Sequence, residues 1–418
     1  MEEKNKTVLF VTARFPFPAT SGRKTSLYHY CRILSERLGY RLVVAAFPEE
    51  GDDPALKPDF IEKLVPLPKP SGRKKICNLL FSSVLLKKKP MQVSLFWNPK
   101  AKKAIDKLIE EEKPSFVIAD MIRCTEYLKD ADAVKIADLD DRISLRYRRQ
   151  FQRDPDGANP YGAYLKSLSG AVQKILLWKP VRRFVLKNEI RLLEKYETQI
   201  GKRFDKTVFV AEQEARDFNL ELKEEKAFAV PIGVDTEYFS YRKTGENGEY
   251  IGFLGAMNVA HNENAVEYFI RDIFPAVLKR VPQAKLMVIG GGVGERLEKY
   301  RSESVLFTGR VDDVRTYLNR CKVFVCPLTF GSGIKTKNLE AMSMGLPVVT
   351  TPVGAENIGA ENGREWMIAE GEEEFAQAVV RLLGDEPLRD AMGRNASEYV
   401  GNNWTWENAE KSFRKIGF

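Results

Sequence analysis

The chain has 418 residues, 44% of them hydrophobic and 30% charged, which suits a globular protein of two or three domains. Its longest apolar run, "LLFSSVLL", is far too short to cross a bilayer, and the start "MEEKNK" lacks the order of a secretory signal, so the expected location is the cytoplasm. The net charge of +8 is uneven: residues 1–240 hold 44 Lys+Arg against 34 Asp+Glu, and residues 241–418 hold 22 against 24. Five cysteines without a C-x-x-C pair argue for reduced thiols, and two histidines, His29 and His261, leave histidine chemistry little room.

In chain order, "TVLFVTA" predicts a strand, "RFPFPATSGRK" a turn, "TSLYHYCRILSERLG" a helix and "YRLVVAAF" a second strand. Strands apolar on both faces belong to a parallel sheet covered by helices. "SFVIAD", "AVKIAD" and "KTVFVAE" continue the pattern, interrupted over residues 142–203 by a basic, mostly helical stretch. A second series follows: "EYIGFLGA", "AKLMVIGGG", "SVLFTGR", "KVFVCPL" and "LPVVTT". The expected fold class is α/β, with two Rossmann-like doubly wound domains. Their expected bounds are 1–240 and 241–400, with a final segment 401–418.

The stretch "FGSGIKTKNLEAMSMGLPVVTT", residues 330–351, carries the most chemistry. A glycine turn leads from a strand into a helix for which Thr336 is the expected cap and Gly345 the stop. Such a turn presents backbone N–H groups and the positive end of the helix dipole, which suits phosphate, and Lys335 and Lys337 add charge there. Lys337 and Glu340, three apart, share one helix face; by themselves they read as a surface ion pair.

"LEAMSMGLPVV" resembles the donor-binding signature of the family 4 nucleotide-sugar glycosyltransferases, which have the GT-B fold, and the lysine-rich turn is similar to that of bacterial surface-polysaccharide transferases. The resemblance implies that Glu340 holds the ribose hydroxyls and that Lys335 and Lys337 neutralise the donor diphosphate, with Lys335 catalytic. It further implies donor contacts from Gly22 and Arg23 in "FPATSGRK", from Arg310 in "FTGRVDDVRTYL", and from Ser332, Gly333 and Ile334 of the turn. "VPIGVDTEYF" resembles the entry into the second domain, and the helical stretch 407–416 after Trp404 and Trp406 the segment that crosses back to the first. The two domains are then expected to face each other across a cleft, the first taking a saccharide or lipid-linked acceptor and the second a nucleotide sugar. Transfer with retention and without a metal is what the resemblance implies, for a hexosyltransferase-type enzyme with no cofactor.

Two departures stand out. Ser332 occupies the position of a Glu that contacts the transferred sugar in many members, and the basic pair expected after the first strand of the second domain is missing from "GAMNVAHNEN". Where many members place a histidine at a strand end, "AVKIADLDD" offers Asp140 or Asp141, which could orient the acceptor hydroxyl or accept its proton, or else serve as a helix cap or salt-bridge partner. Asp138-x-Asp140 also mimics the D-x-D motif of metal-dependent GT-A transferases, an alternative left open beside a catalytically silent nucleotide-sugar-binding module. "VIGGGVGERL" reads as a tight strand-to-helix turn, or as a partial dinucleotide fingerprint. Basic segments mixed with aromatics, around residues 73–89 and 146–187, suit an anionic membrane surface on the inner face of the cell membrane; no nucleic-acid fold accompanies them.

Overall fold

The computed structural model describes residues 6–19, 22–72, 89–153, 155, 170–242, 250–331 and 333–418. The chain divides into two compact units, one of residues 1–231 with 409–418 and one of residues 232–408.

The first unit is built on a seven-stranded sheet of β1 (Thr7–Thr12), β2 (Arg41–Ala46), β3 (Lys63–Pro66), β4 (Phe116–Asp120), β5 (Val134–Asp140), β6 (Lys206–Phe209) and β7 (Ala227–Ala229). The spatial order is β3-β2-β1-β4-β5-β6-β7 and every pair is parallel. This doubly wound order reverses direction between β1 and β4, and ligands of such sheets bind beyond the carboxyl ends of the strands at that switch point. β1 is buried along its whole length because helices cover both faces, which is why its sequence reads as an unbroken apolar run. The basic interval forms helices Ile143–Arg153, Gly170–Leu177 and Lys179–Arg203, as the sequence predicts.

In the second unit, β8 (Tyr250–Leu254), β9 (Lys285–Ile289), β10 (Val305–Phe307), β11 (Cys321–Cys326), β12 (Val348–Thr350) and β13 (Met367–Ile368) form a six-stranded parallel sheet in the order β10-β9-β8-β11-β12-β13. The same reversal falls between β8 and β11.

The boundary lies earlier than the expected residue 240. Val230 is tied into the first unit, its N–H donating to Phe209 O at 2.9 Å and its carbonyl accepting from Tyr30 Oη at 2.9 Å, whereas Val234 N donates to Trp404 O at 2.8 Å within the second. The final segment joins the first unit from Ala409, not 401, because the helix Glu386–Asn403 packs within the second unit on the helix Thr336–Ser343. Phe413 meets Tyr30 edge to face at 5.1 Å and Phe418 meets Phe116 at 4.5 Å. Cys31, Cys124, Cys321 and Cys326 are free and buried, and Cys77 lies outside the described residues. His29 is a helix residue whose ring packs on Tyr28. Among the described residues no helix is long and apolar enough to cross a membrane.

Candidate active site

In the second unit, the turn after β11 and the helix Thr336–Ser343 stand at the β8/β11 switch point. Gly333 adopts a left-handed φ of 67°, which a side chain resists, and Gly345 ends the helix at φ 80°. The capping position is Lys335, not Thr336; it makes no side-chain cap, and Thr336 is already helical because the turn reaches the helix one residue early. Lys335 therefore leaves that end of the helix dipole uncapped by its own side chain.

Lys335 is 7% exposed, and its Nζ donates to Gly333 O at 2.6 Å, folding the ammonium back over the glycine turn. Lys337 does not pair with Glu340. Its Nζ donates to Asn262 Oδ1 at 2.5 Å and lies 4.4 Å from the centroid of the Phe253 ring. Burial pulls the Lys337 ammonium down to about 8, against the weaker upward pull of Cys326 and Glu340. Glu340 is half-buried, carries no hydrogen bond or ion pair on its carboxylate among the described residues, and is pushed by burial up to about 7. Two groups of opposite sign are thus held beside one backbone turn without neutralising each other, an arrangement that a ligand with both an anion and hydroxyl groups would relieve.

Asn262 was not singled out by the sequence, although it follows His261 in the very segment where a basic pair is missing; here a neutral amide holds Lys337 instead. Close backbone packing around it needs glycine: a Cβ on Gly255 would lie 2.8 Å from Asn262 Nδ2 and 3.1 Å from Lys337 Nζ. The run Gly290–Gly292 is the tight strand-to-helix turn expected of "VIGGG", with a Cβ on Gly290 falling 2.0 Å from Gly255 O. Arg310 is exposed, its Cβ 3.3 Å from where a Cβ on Gly291 would sit, and so lies at the ends of β9 and β10. Ile334 is half-buried on the turn, while Ser332 lies outside the described residues.

The first unit holds a different constellation at its own switch point. Arg23 donates to Asp120 Oδ1 at 2.6 Å, Asp138 Oδ2 at 2.7 Å and Asp140 Oδ1 at 2.9 Å, with side-chain exposures of 9%, 0%, 5% and 29% for the four residues in turn. Asp120 Oδ2 accepts the N–H of Ala13 at 2.9 Å, so one guanidinium ties together the ends of β1, β4 and β5. Arg23, expected at the donor phosphates, is committed to carboxylates; Asp138 and Asp140, read as a possible metal pair, are its partners. Burial pushes Asp138 up to about 6 and raises Asp140, while Arg23, lowered by burial, is carried well above its ordinary value by Asp138, Asp140 and Asp120. Asp140 has a left-handed φ of 66° at a register shift between β5 and β6. Asp141 pairs with Arg146 at 3.2 Å. Gly22 begins the helix Gly22–Arg32, and a Cβ there would meet nothing within 4 Å, so the chain itself does not require glycine at this position.

Two doubly wound units, the second with a lysine-flanked glycine turn at its switch point, are the parts of the GT-B fold. Residues 248–385, within the second unit, match the family model described as "Glycosyl transferases group 1". The chain resembles the sucrose-phosphate synthase of Thermosynechococcus elongatus in fold, with a TM-score of 0.70, 14% identity and 98% of each chain covered. The Anabaena protein HepE, solved in complex with UDP and glucose, follows with a TM-score of 0.64, 12% identity, and 98% and 99% covered. In sequence the chain is similar to a GDP-mannose-dependent monoacylated α-(1-6)-phosphatidylinositol monomannoside mannosyltransferase of Corynebacterium glutamicum, 26% identical over 50% of this chain and 61% of that one. The chain spans about half the length of the curated relatives it matches.

Proposed function

We propose that the protein transfers a sugar from a nucleoside-diphosphate sugar to an acceptor hydroxyl, with retention and without a metal, in the assembly of a surface polysaccharide or glycolipid. The observation that carries this reading is the Glu340 carboxylate, without a partner among the described residues, beside the buried Lys335 and half-buried Lys337 at a helix end that Lys335 does not cap. Glu340 is placed to accept from ribose hydroxyls, and Lys335 and Lys337 with the helix dipole meet the charge that grows on the departing diphosphate. Asp140, whose Oδ2 has no partner among the described residues, is placed to orient the acceptor hydroxyl on the first unit. UDP in HepE and the lipid acceptor named for the Corynebacterium relative support the two substrate classes. The test is thermal unfolding with UDP, GDP and ADP: a nucleotide at a hundredfold its dissociation constant stabilises by about 2.7 kcal/mol. No shift with any of them at millimolar concentration removes the proposal, and saturable binding without slow donor hydrolysis favours the silent binding module.

The acceptor unit is proposed to work peripherally on an anionic membrane. Residues 73–88 lie outside the described residues, but the junction of the helices Gly170–Leu177 and Lys179–Arg203 presents Leu177, Trp178 and Phe184 at 41%, 63% and 67% exposure. Lys174, Lys179, Arg183 and Lys187 are exposed around them, and no acidic residue occurs between Gly170 and Asn188. Large apolar groups ringed by cations suit the headgroup boundary. Co-sedimentation with vesicles containing anionic lipid should fall as salt rises and drop severalfold in Trp178→Ala/Phe184→Ala. Equal sedimentation with neutral and anionic vesicles would point to a soluble acceptor.

A further inference from the structure

Two arginines of the first unit stand at its switch point, and among the described residues neither pairs with a carboxylate. Arg14 follows the end of β1 and Arg123 opens the helix Met121–Leu128 after β4. These strands are sheet neighbours, Val11 facing Ala119, and Ala13 N bonds Asp120 just beyond that pair. Arg14 thus directly follows the residue whose N–H bonds Asp120, and Arg123 comes three positions after that aspartate.

The nearby carboxylates are already engaged. Asp120, Asp138 and Asp140 hold Arg23, and Asp141 holds Arg146. Arg14 Nε is fully enclosed and has no hydrogen-bond partner. Arg123 uses its Nε on Gln92 Oε1 at 3.0 Å, and Gln92 in turn is held by Tyr147 Oη at 3.0 Å. That neutral support orients the Arg123 fork without consuming its charge. Among the described residues neither arginine makes an ion pair. Both side chains are half-buried, so part of each charge is withdrawn from water, and a planar guanidinium fork matches the two oxygens of a phosphate or carboxylate.

We infer that Arg14 and Arg123 form an oxyanion site at the C-terminal edge of the first unit's sheet, which takes a phosphate ester or uronate carboxylate carried by the acceptor. Assigning the anion to the acceptor rests on the transferase reading; the anion site itself does not. An acceptor of this class presents its hydroxyl to Asp140 while its negative charge is met by the two arginines, so neutral saccharides are disfavoured.

The experiment is isothermal titration of the full chain at low salt with inorganic pyrophosphate and, separately, with glucuronate and glucose. Wild type should bind pyrophosphate at two sites. Arg14→Met/Arg123→Met should lose one of them, with affinity there falling at least tenfold, while Lys335→Met/Lys337→Met should lose the other. Loss in the lysine variant alone leaves the donor reading intact and overturns this one; loss in the arginine variant alone does the reverse. Glucuronate binding that depends on the arginines, with glucose inert, assigns the carboxylate, and pyrophosphate alone assigns the phosphate. The charge-conserving Arg14→Lys/Arg123→Lys variant keeps the cations and loses the forks, so it should bind more weakly than wild type even if the methionine variant fails to fold. Binding of both probes unchanged in the lysine-for-arginine variant, or no arginine-dependent binding of either, overturns the inference.

Discussion

Arg23→Met should destabilise the first unit by about 3–5 kcal/mol, the usual cost of removing one member of a buried ion cluster. Arg23 is the cation that joins Asp120, Asp138 and Asp140, and the first two are almost wholly buried. Without it the carboxylates can lower their cost only by taking up protons. The folded pKa values of Asp138, already at about 6, and of Asp140, already raised, would then stand further above the unfolded values than they do now. A carboxyl raised in this way is stabilising below its unfolded pKa and loses that contribution as pH rises through the folded value. The penalty of Arg23→Met should therefore be small near pH 4 and largest at pH 8. Arg23→Met/Asp138→Asn should recover part of it, since one of the charges is gone. Hydrogen exchange of β1, β4 and β5 with pH checks this: protection at pH 8 within about 1 kcal/mol of wild type would show that the cluster is not what holds the strand ends together.

Glu340→Gln should weaken nucleotide binding at least tenfold and yet stabilise the free protein. Burial holds Glu340 at about 7 with no partner on its carboxylate, so ionising it in the empty site has a cost that the amide avoids. The gain should be absent below about pH 4.5, where the carboxyl is neutral in both states, grow up to about pH 7 and stay level above, reaching roughly 3 kcal/mol. Binding has the opposite demand. Accepting ribose hydroxyls favours the ionised carboxylate, present above about 7, and meeting phosphate requires the Lys337 ammonium, present below about 8. Affinity for a nucleoside diphosphate should thus peak between these values, and Glu340→Gln should abolish the acid limb only. If Glu340 contacts the donor equally in ground and transition states, the loss appears in KM, whereas Lys335→Met, opposite growing charge, should appear in kcat. Equal small effects of both variants on both parameters would count against the site.

Both switch-point sites were only partly legible. The segment 330–351 announced its turn, its helix and its three charged residues, because a glycine turn and a helix stop are local features. What Lys337 does was not local: its partners Asn262 and Phe253 come from β8 and the helix after it, 75 and 84 positions away. In the first unit the sequence left Asp138 and Asp140 between a metal pair, a catalytic carboxylate and a salt bridge. The answer required Arg23, over a hundred residues distant, and Asp120, whose place at the end of "SFVIAD" gave the one available signal.

The sequence by itself determined the class of fold and the central strands of both sheets, since a strand covered by helices on both faces must be apolar at nearly every position. It did not reveal β3, β7 and β13, which are the sheet edges except for β10; an edge strand is paired on one side only and is short, so its pattern is weak. Nor could it place the domain boundary at 231, which depends on the hydrogen bonds that Val230 donates to Phe209 and accepts from Tyr30. Above all, only the tertiary structure decided which charges are spent and which are left over. Arg23 and Asp138 look no different in the sequence from Arg14 and Glu340, but a charge is neutralised by what lies within a few ångströms of it, and that distance is set by how the strand ends come together.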